Sequence, residues 1–297
     1  MDQTSRNWWQ WGTWTVLLFA LIARVVLVLN GGQGFWPDEG CYSAEQASAE
    51  QIARGEIRTA AVLQLENPDH LLFKIAAILP AMVERWLGFD QRCAALVFSL
   101  FSLGVVWLTG KITKRAGGDP VEVFLATGFS ATATSLFYYA RHLVPYDLSL
   151  FLFLVALYVG LGEGLWRMGI AGLLSGLGFL AYNTYWQLGG PLLIVLVLAR
   201  RPGWRQFLLR AVAGATGLLL PLAAILLLAR AWQIDIVARY LAFSQTANMG
   251  DLDIAWRFAP EYFWASERGI ALIGTTSWAA GGVLVARRLA PARLVWW

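Results

Sequence analysis

An all-α, multispanning membrane protein is the fold class that the sequence predicts, on three observations. Of the 297 residues, 58% are hydrophobic and only 14% charged, where a soluble domain carries roughly 25% charged residues. The apolar residues form runs long enough to cross a bilayer, and the charges collect between those runs. Mean hydropathy is correspondingly high, at +0.56. These features exclude a soluble enzyme and a disordered chain. Two cysteines, Cys41 and Cys93, are too few for a disulfide-stapled secreted module.

A spanning helix needs about 20 apolar residues. Runs of that kind occupy 12–30, 91–110, 120–138, 206–229 and 269–286, and 146–161 is shorter but free of charge. The first run has no small-residue cleavage site after it and reads as a retained helix. The stretch 168–199 is too long for one helix and reads as a hairpin broken near Asn183-Thr184. The basic clusters Lys111 to Arg115, Arg167, Arg200 to Arg205 and Arg287-Arg288 all become cytoplasmic if an even number of crossings separates each pair. That parity gives about eight spans, with both termini inside. The net charge of +4 is thereby spent on orientation, and nucleic acid is not an expected partner.

The segment 70–87 does not fit as a span. Lys74 interrupts one end and Glu84-Arg85 close the other, so it is expected to be an interfacial or re-entrant helix on the outer face. The chain then forms a single membrane domain, 1–297, with outer loops at 31–90 and 230–268. The first loop is helical: residues 40–54 suit a surface helix that begins near Pro37-Asp38 and ends at Gly55. The N-terminal WWQWGTW suits an aromatic anchor at the headgroups. Gly172 and Gly176, four apart, suit close helix packing.

This topology gathers polar residues at the outer boundary of the membrane. Asp38 and Glu39 follow the first helix; Asn67, Asp69 and His70 precede the re-entrant segment; Arg141, His142, Tyr146 and Asp147 lie where the third span ends and the fourth begins. Both histidines of the chain fall in this layer, each near an Asp. A carboxylate there can act as general base on a hydroxyl. Arg and His⁺ can steady a departing phosphate, and a divalent metal on Asp38, His70 and His142 is the one cofactor that the residue types allow. A sugar carried on a long isoprenoid phosphate presents its head group at this depth.

The same residues resemble a known family. The segment LIARVVLVLNGGQGFWPDEGCYSAEQASAEQIARGE is similar to the start of GT-C membrane glycosyltransferases, in the branch of protein O-mannosyltransferases and bacterial aminoarabinose transferases. It has an Arg late in the first helix (Arg24), an Asp-Glu pair opening the first outer loop (Asp38, Glu39) and a small-residue helix after them. YYARHLVPYDLSLFLFLVALY is similar to the family's second signature, and ENPDHLLFK stands where a Pro-Pro-Leu segment is usual, with Pro68-Asp69 in place of the double proline. The resemblance covers roughly residues 15–200. It implies a GT-C-like helical bundle in the cytoplasmic membrane with an extracytoplasmic site, where a glycosyl group passes from a polyprenyl-phosphate sugar to a hydroxyl of a lipid, glycan or protein. It implies Asp38 as the acid-base group, Glu39 beside it, Asp147 as the acid of the second outer loop and Arg141 near the donor phosphate. Arg24, His70, Lys74, His142 and Tyr146 complete the expected substrate contacts. Family members usually continue with further helices and often an outer soluble domain, so the chain is expected to be a fragment or a compact relative.

Plainer uses exist for each residue. Asp38, Glu39 and Asp147 can cap the helices that follow them, and Arg24 and Lys74 can snorkel to the interface. The alternative function is a noncatalytic binder of lipid-linked sugar, or a scaffold. A transporter or flippase stands behind it, because apart from Arg24 the spans hold almost no charge away from their ends.

Overall fold

Long apolar runs in a chain this poor in charge can satisfy their backbone only as helices, and helices are what form. The computed structural model describes residues 3–33, 42–66, 68–182, 186–198 and 203–248, and these contain helices and no strand. Three helices are long and apolar enough to cross a membrane: α1 (Gln3–Leu29), α5 (Arg92–Arg115) and α11 (Trp204–Ala231). Between α1 and α5 lie α2 (Tyr42–Ala53), α3 (Ile57–Glu66) and α4 (Leu71–Leu87). Between α5 and α11 lie α6 (Pro120–Thr132), α7 (Thr134–Tyr139), α8 (Tyr146–Gly160), α9 (Leu165–Ala181) and α10 (Trp186–Leu198), and α12 (Ile236–Asn248) follows. Among its described residues the chain is thus helical, with three helices able to cross a membrane.

Of the eight expected spans, α1, α5 and α11 have full length, and α8, α9 and α10 are shorter apolar helices. The expected span 120–138 is instead a broken one: α6 stops at Thr132, Ala133 is extended (φ −58°, ψ 119°), and α7 resumes. Thr132 Oγ1 donates back to the carbonyls of Gly128 and Phe129 at 3.0 and 3.3 Å, so a hydroxyl sits on carbonyls of the last turn before the break. The run 269–286 lies outside the described residues. The hairpin expected in 168–199 is present as α9 and α10, on either side of Asn183-Thr184. Of the second expected outer loop, 230–268, only the start is described, and it holds α12.

The first outer loop carries more helix than its pattern announced. The expected helix at 40–54 is α2, ended by Gly55 in the left-handed region (φ 80°), and α3 follows with no clear periodicity to signal it. The segment 70–87 is α4: Lys74 and Glu84 are buried among Leu71, Phe73, Ala77 and Ala81, while Leu79 and Trp86 are 69% and 84% exposed. A helix that exposes large apolar side chains suits contact with lipid or with another apolar surface. Glu84 is held by two donors, the Tyr42 hydroxyl and the Ala94 amide, each at 2.7 Å, the second at the N-terminus of α5. Burial pushes the Glu84 carboxyl above the usual carboxylate range.

The spanning helices alternate between two ends. One end carries His70, His142 and the starts of α5 and α8; the other carries Lys111, Lys114 and the start of α6. They are called the histidine end and the lysine end below. Within the bundle α9 packs on α11 through glycines. A Cβ added at Gly172 would lie 2.0 Å from the Gly214 carbonyl oxygen, and one at Gly217 equally close to that of Gly169. The close approach expected at Gly172 and Gly176 is therefore real, and its partner is α11. Gly172→Ala is expected to cost about 1–3 kcal/mol. Gly190→Ala, where a Cβ meets nothing within 4 Å, is expected to cost none. Thermal unfolding of the two variants in one detergent compares them directly. At the lysine-end terminus of α10, Arg210 is buried and donates to the Leu196 carbonyl at 2.7 Å, placing a cation on the last turn of that helix.

Candidate functional site

The turn between α7 and α8 is the centre of the histidine end. Arg141 Nε donates to His142 Nε2 at 3.1 Å, and its guanidinium lies 5.1 Å from the Tyr138 ring centroid. Gln33, just past α1, donates to the carbonyls of Val28 and Arg141 at 3.1 and 3.2 Å. Gly32 (φ 97°) lies against the Arg141 guanidinium, where a side chain could not take its backbone conformation without strain. The exit of the first spanning helix is thereby fixed to the Arg141–His142 turn.

From His142 a run of ring contacts crosses this end. His142 touches Tyr138 (5.0 Å between centroids), Tyr138 touches Tyr139 (5.3 Å), and Tyr139 touches Tyr146 (5.1 Å). Tyr146 meets Tyr182 edge-on at 4.8 Å, and Tyr182 meets His70 at 5.1 Å. His70 itself is left-handed (φ 49°, ψ 33°) at the start of α4. The two histidines, distant in sequence, thus bound one aromatic belt. Rings of this kind offer apolar faces and hydroxyls together, which suits a carbohydrate or an interfacial position.

Beside the belt is a buried charged cluster. Asp69 and Lys74 form an ion pair with both side chains almost fully enclosed. Glu45, on α2, is 0% exposed, and neither carboxylate oxygen has a hydrogen-bond partner among the described residues. Burial pushes its carboxyl up to about 7; Lys74 opposes that rise and Asp69 adds to it. A pKa higher in the fold than in the open chain means stability fully present below about 4.5 and lost as pH rises through about 7. Glu45→Gln is therefore expected to match the parent near pH 4 and to exceed it near pH 8 by on the order of 1–3 kcal/mol. Melting temperature against pH for the two proteins measures this.

Deeper in the bundle is a second charged group. Arg24 is 0% exposed; its Nε donates to Ser102 Oγ at 3.1 Å and its Nη1 to the Ala20 carbonyl at 3.2 Å. Asp147, also buried, is near enough for its charge to act on Arg24. Arg24 is hydrogen-bonded inside the bundle rather than snorkelling, with Asp147 as the buried acid of opposite charge.

The expected residues Arg24, His70, Lys74, Arg141, His142, Tyr146 and Asp147 thus fall into three linked groups around the histidine end. Asp38 and Glu39 lie outside the described residues, as does Cys41; the residues that flank them, Gln33 and Tyr42, both belong to this end. Cys93 is a free thiol. Of the metal set Asp38, His70 and His142, Asp38 lies outside the described residues and His142 Nε2 accepts from Arg141; among the described residues no three His, Cys, Asp or Glu side chains stand together. Glu45, Ser102, Tyr138 and Tyr139 were not singled out by sequence. Tyr138 and Tyr139 had a signal, lying beside Arg141-His142; Glu45 and Ser102 sit in helices whose patterns do not mark them.

An apolar groove of about 250 Å³ opens next to His70, between α4, α9, α11 and α12, lined by Pro68, Leu71, Phe179, Leu222 and Tyr240 among others. Fold and site together define a helical protein with helices long and apolar enough to cross a membrane, whose histidine end holds an aromatic belt beside an apolar groove. No protein family, curated protein or solved structure matches the chain.

Proposed function

We propose that the histidine end is the active site of an integral-membrane glycosyltransferase, which moves a glycosyl group from a polyprenyl-phosphate sugar to a hydroxyl acceptor on lipid, glycan or protein at the extracytoplasmic face. The observation that carries this reading is the meeting of Arg141, His142 and His70 on one tyrosine belt, with an apolar groove opening beside His70. A donor with a charged phosphate, a sugar and a long hydrocarbon tail needs those three environments side by side.

In the proposed step Asp38 takes the proton of the acceptor hydroxyl, with Glu39 beside it. The acceptor oxygen bonds to the anomeric carbon as the bond from that carbon to the phosphate oxygen breaks. The electron pair leaves with the polyprenyl phosphate, whose added negative charge Arg141 offsets. His142 accepts from Arg141 Nε and so helps hold the guanidinium over the Tyr138 ring. Tyr146 and Tyr182 offer ring faces to the sugar. Asp69 and Lys74 neutralise each other beneath it, and Asp147 with Arg24 braces the start of α8. The test is turnover by the purified chain in vesicles supplied with a panel of labelled polyprenyl-phosphate sugars and membrane extract as acceptor. Consumption of at least one donor is expected; donor binding with no turnover of any would favour the noncatalytic sugar-lipid binder.

A further inference from the structure

At the lysine end, far from the proposed active site, a cavity of about 250 Å³ lies between the first half of α1, the last half of α5 and the start of α6. Its basic side carries Lys111 and Lys114, two of the chain's three lysines, one helical turn apart on α5. Lys111 Nζ stands 5.3 Å from the Trp107 ring, and neither lysine has an ion pair among the described residues. Asp119 and Glu122, on the helix that forms the third wall, are engaged elsewhere. Asp119 accepts from the amides of Val121 and Glu122 at 2.8 and 2.9 Å, and Glu122 accepts from the Asp119 amide at 2.8 Å.

The cavity does not end at the lysines. Trp14, Leu17 and Trp107 also line a second, apolar groove of about 430 Å³ that continues between α1 and α5 past Leu21, Leu100 and Leu103. Measured along α1 from Gln10 to Leu21, head cavity and groove together run about 17 Å, close to the hydrocarbon depth of one leaflet. A soluble anion would use the lysines and leave the groove empty; a neutral lipid would use the groove and leave two cations uncompensated. An anionic phospholipid uses both. The basic residues at this end also mark the cytoplasmic side under the positive-inside rule, where acidic lipids meet juxtamembrane cations.

We infer that the cavity and groove between α1, α5 and α6 form a binding site for one anionic phospholipid of the adjoining leaflet, with its phosphate on Lys111 and Lys114 and an acyl chain between Trp14 and Leu103. The site is independent of the glycosyl-transfer reading. Trp107 shields one side of the head group, and the chain fills the seam where α1 and α5 otherwise leave a gap.

The test is native mass spectrometry of the purified protein in uncharged detergent, titrated with phosphatidylglycerol, with phosphatidylcholine of the same chains, and with glycerol phosphate alone. One tightly held phosphatidylglycerol is expected, with phosphatidylcholine weaker. Lys111→Gln/Lys114→Gln should weaken phosphatidylglycerol on the order of 30-fold, while Lys111→Arg/Lys114→Arg retains it. Leu103→Trp, which fills the groove and leaves the charges alone, should weaken it as well. Unchanged phosphatidylglycerol affinity in the double Gln variant, or in Leu103→Trp, would overturn the inference. So would glycerol phosphate competing at equal affinity, since that marks a soluble-anion site.

Discussion

Replacing Arg24 by Met is expected to lower stability by about 3–5 kcal/mol, the cost of leaving a buried counter-charge alone. Arg24 has no access to solvent, and Ser102 and the Ala20 carbonyl hold two of its nitrogens. Its third, Nη2, is buried without a partner among the described residues, so the guanidinium is already under-satisfied before anything is removed. Without Arg24, Asp147 is left without its opposite charge, and the one proton of the Ser102 hydroxyl is already donated to the Leu136 carbonyl at 3.0 Å. Asp147→Leu should cost a similar amount from the other side. The double variant Arg24→Met/Asp147→Leu should recover most of the loss, because two buried opposite charges replaced together by apolar groups of like volume leave neither charge uncompensated. A double-mutant cycle on unfolding in detergent reads the coupling. Additive losses would mean that the two residues do not act as a pair.

Asp38→Asn is expected to reduce glycosyl transfer by about 10²–10⁴-fold, the range for loss of a positioned general base. Donor binding should hardly change, because the proposed contacts are Arg141 for the phosphate and the groove beside His70 for the tail. Measuring turnover and donor affinity on the same preparation separates the two. A variant that turns over like the parent would remove Asp38 from the chemistry, and one that loses donor binding in proportion would make it a binding residue instead.

The elements that were legible in the sequence were those whose burial is driven by length and hydropathy alone. The full-length spans α1, α5 and α11 follow from long apolar runs, and the separation of α9 from α10 from an apolar stretch too long for one span with a polar Asn183-Thr184 inside it. The glycines of α9 were readable because only a close neighbour explains small residues four apart in an apolar helix. What was not legible depends on distant partners. Nothing near Arg24 in sequence reveals Asp147, and the apolar run through Ala133 hides a break that involves hydroxyls rather than Gly or Pro. Lys74 and Glu84 look like interruptions of α4, yet they belong to its buried face, because Asp69, Tyr42 and Ala94 meet them from other segments. Glu45 is the sharpest case: α2 is polar and small-residue rich, so a fully buried carboxylate in it has no local signature.

In the candidate site the pattern is the same. The clustering of both histidines near acids pointed to one end of the bundle, and His70 and His142 do bound one belt there. The tyrosines that connect them come from α7, from α8 and from the residue after α9, a convergence that only the fold supplies.

For the proposed transfer, Asp38 must share a membrane boundary with the Arg141–His142 turn. Spin labels on cysteines introduced at Asp38 and Tyr138, with Cys41 and Cys93 replaced, measure that separation in vesicles by electron paramagnetic resonance. A distance under about 20 Å is predicted; a separation of about 30 Å or more, the thickness of the hydrocarbon core, would set the two on opposite sides of the membrane and contradict it.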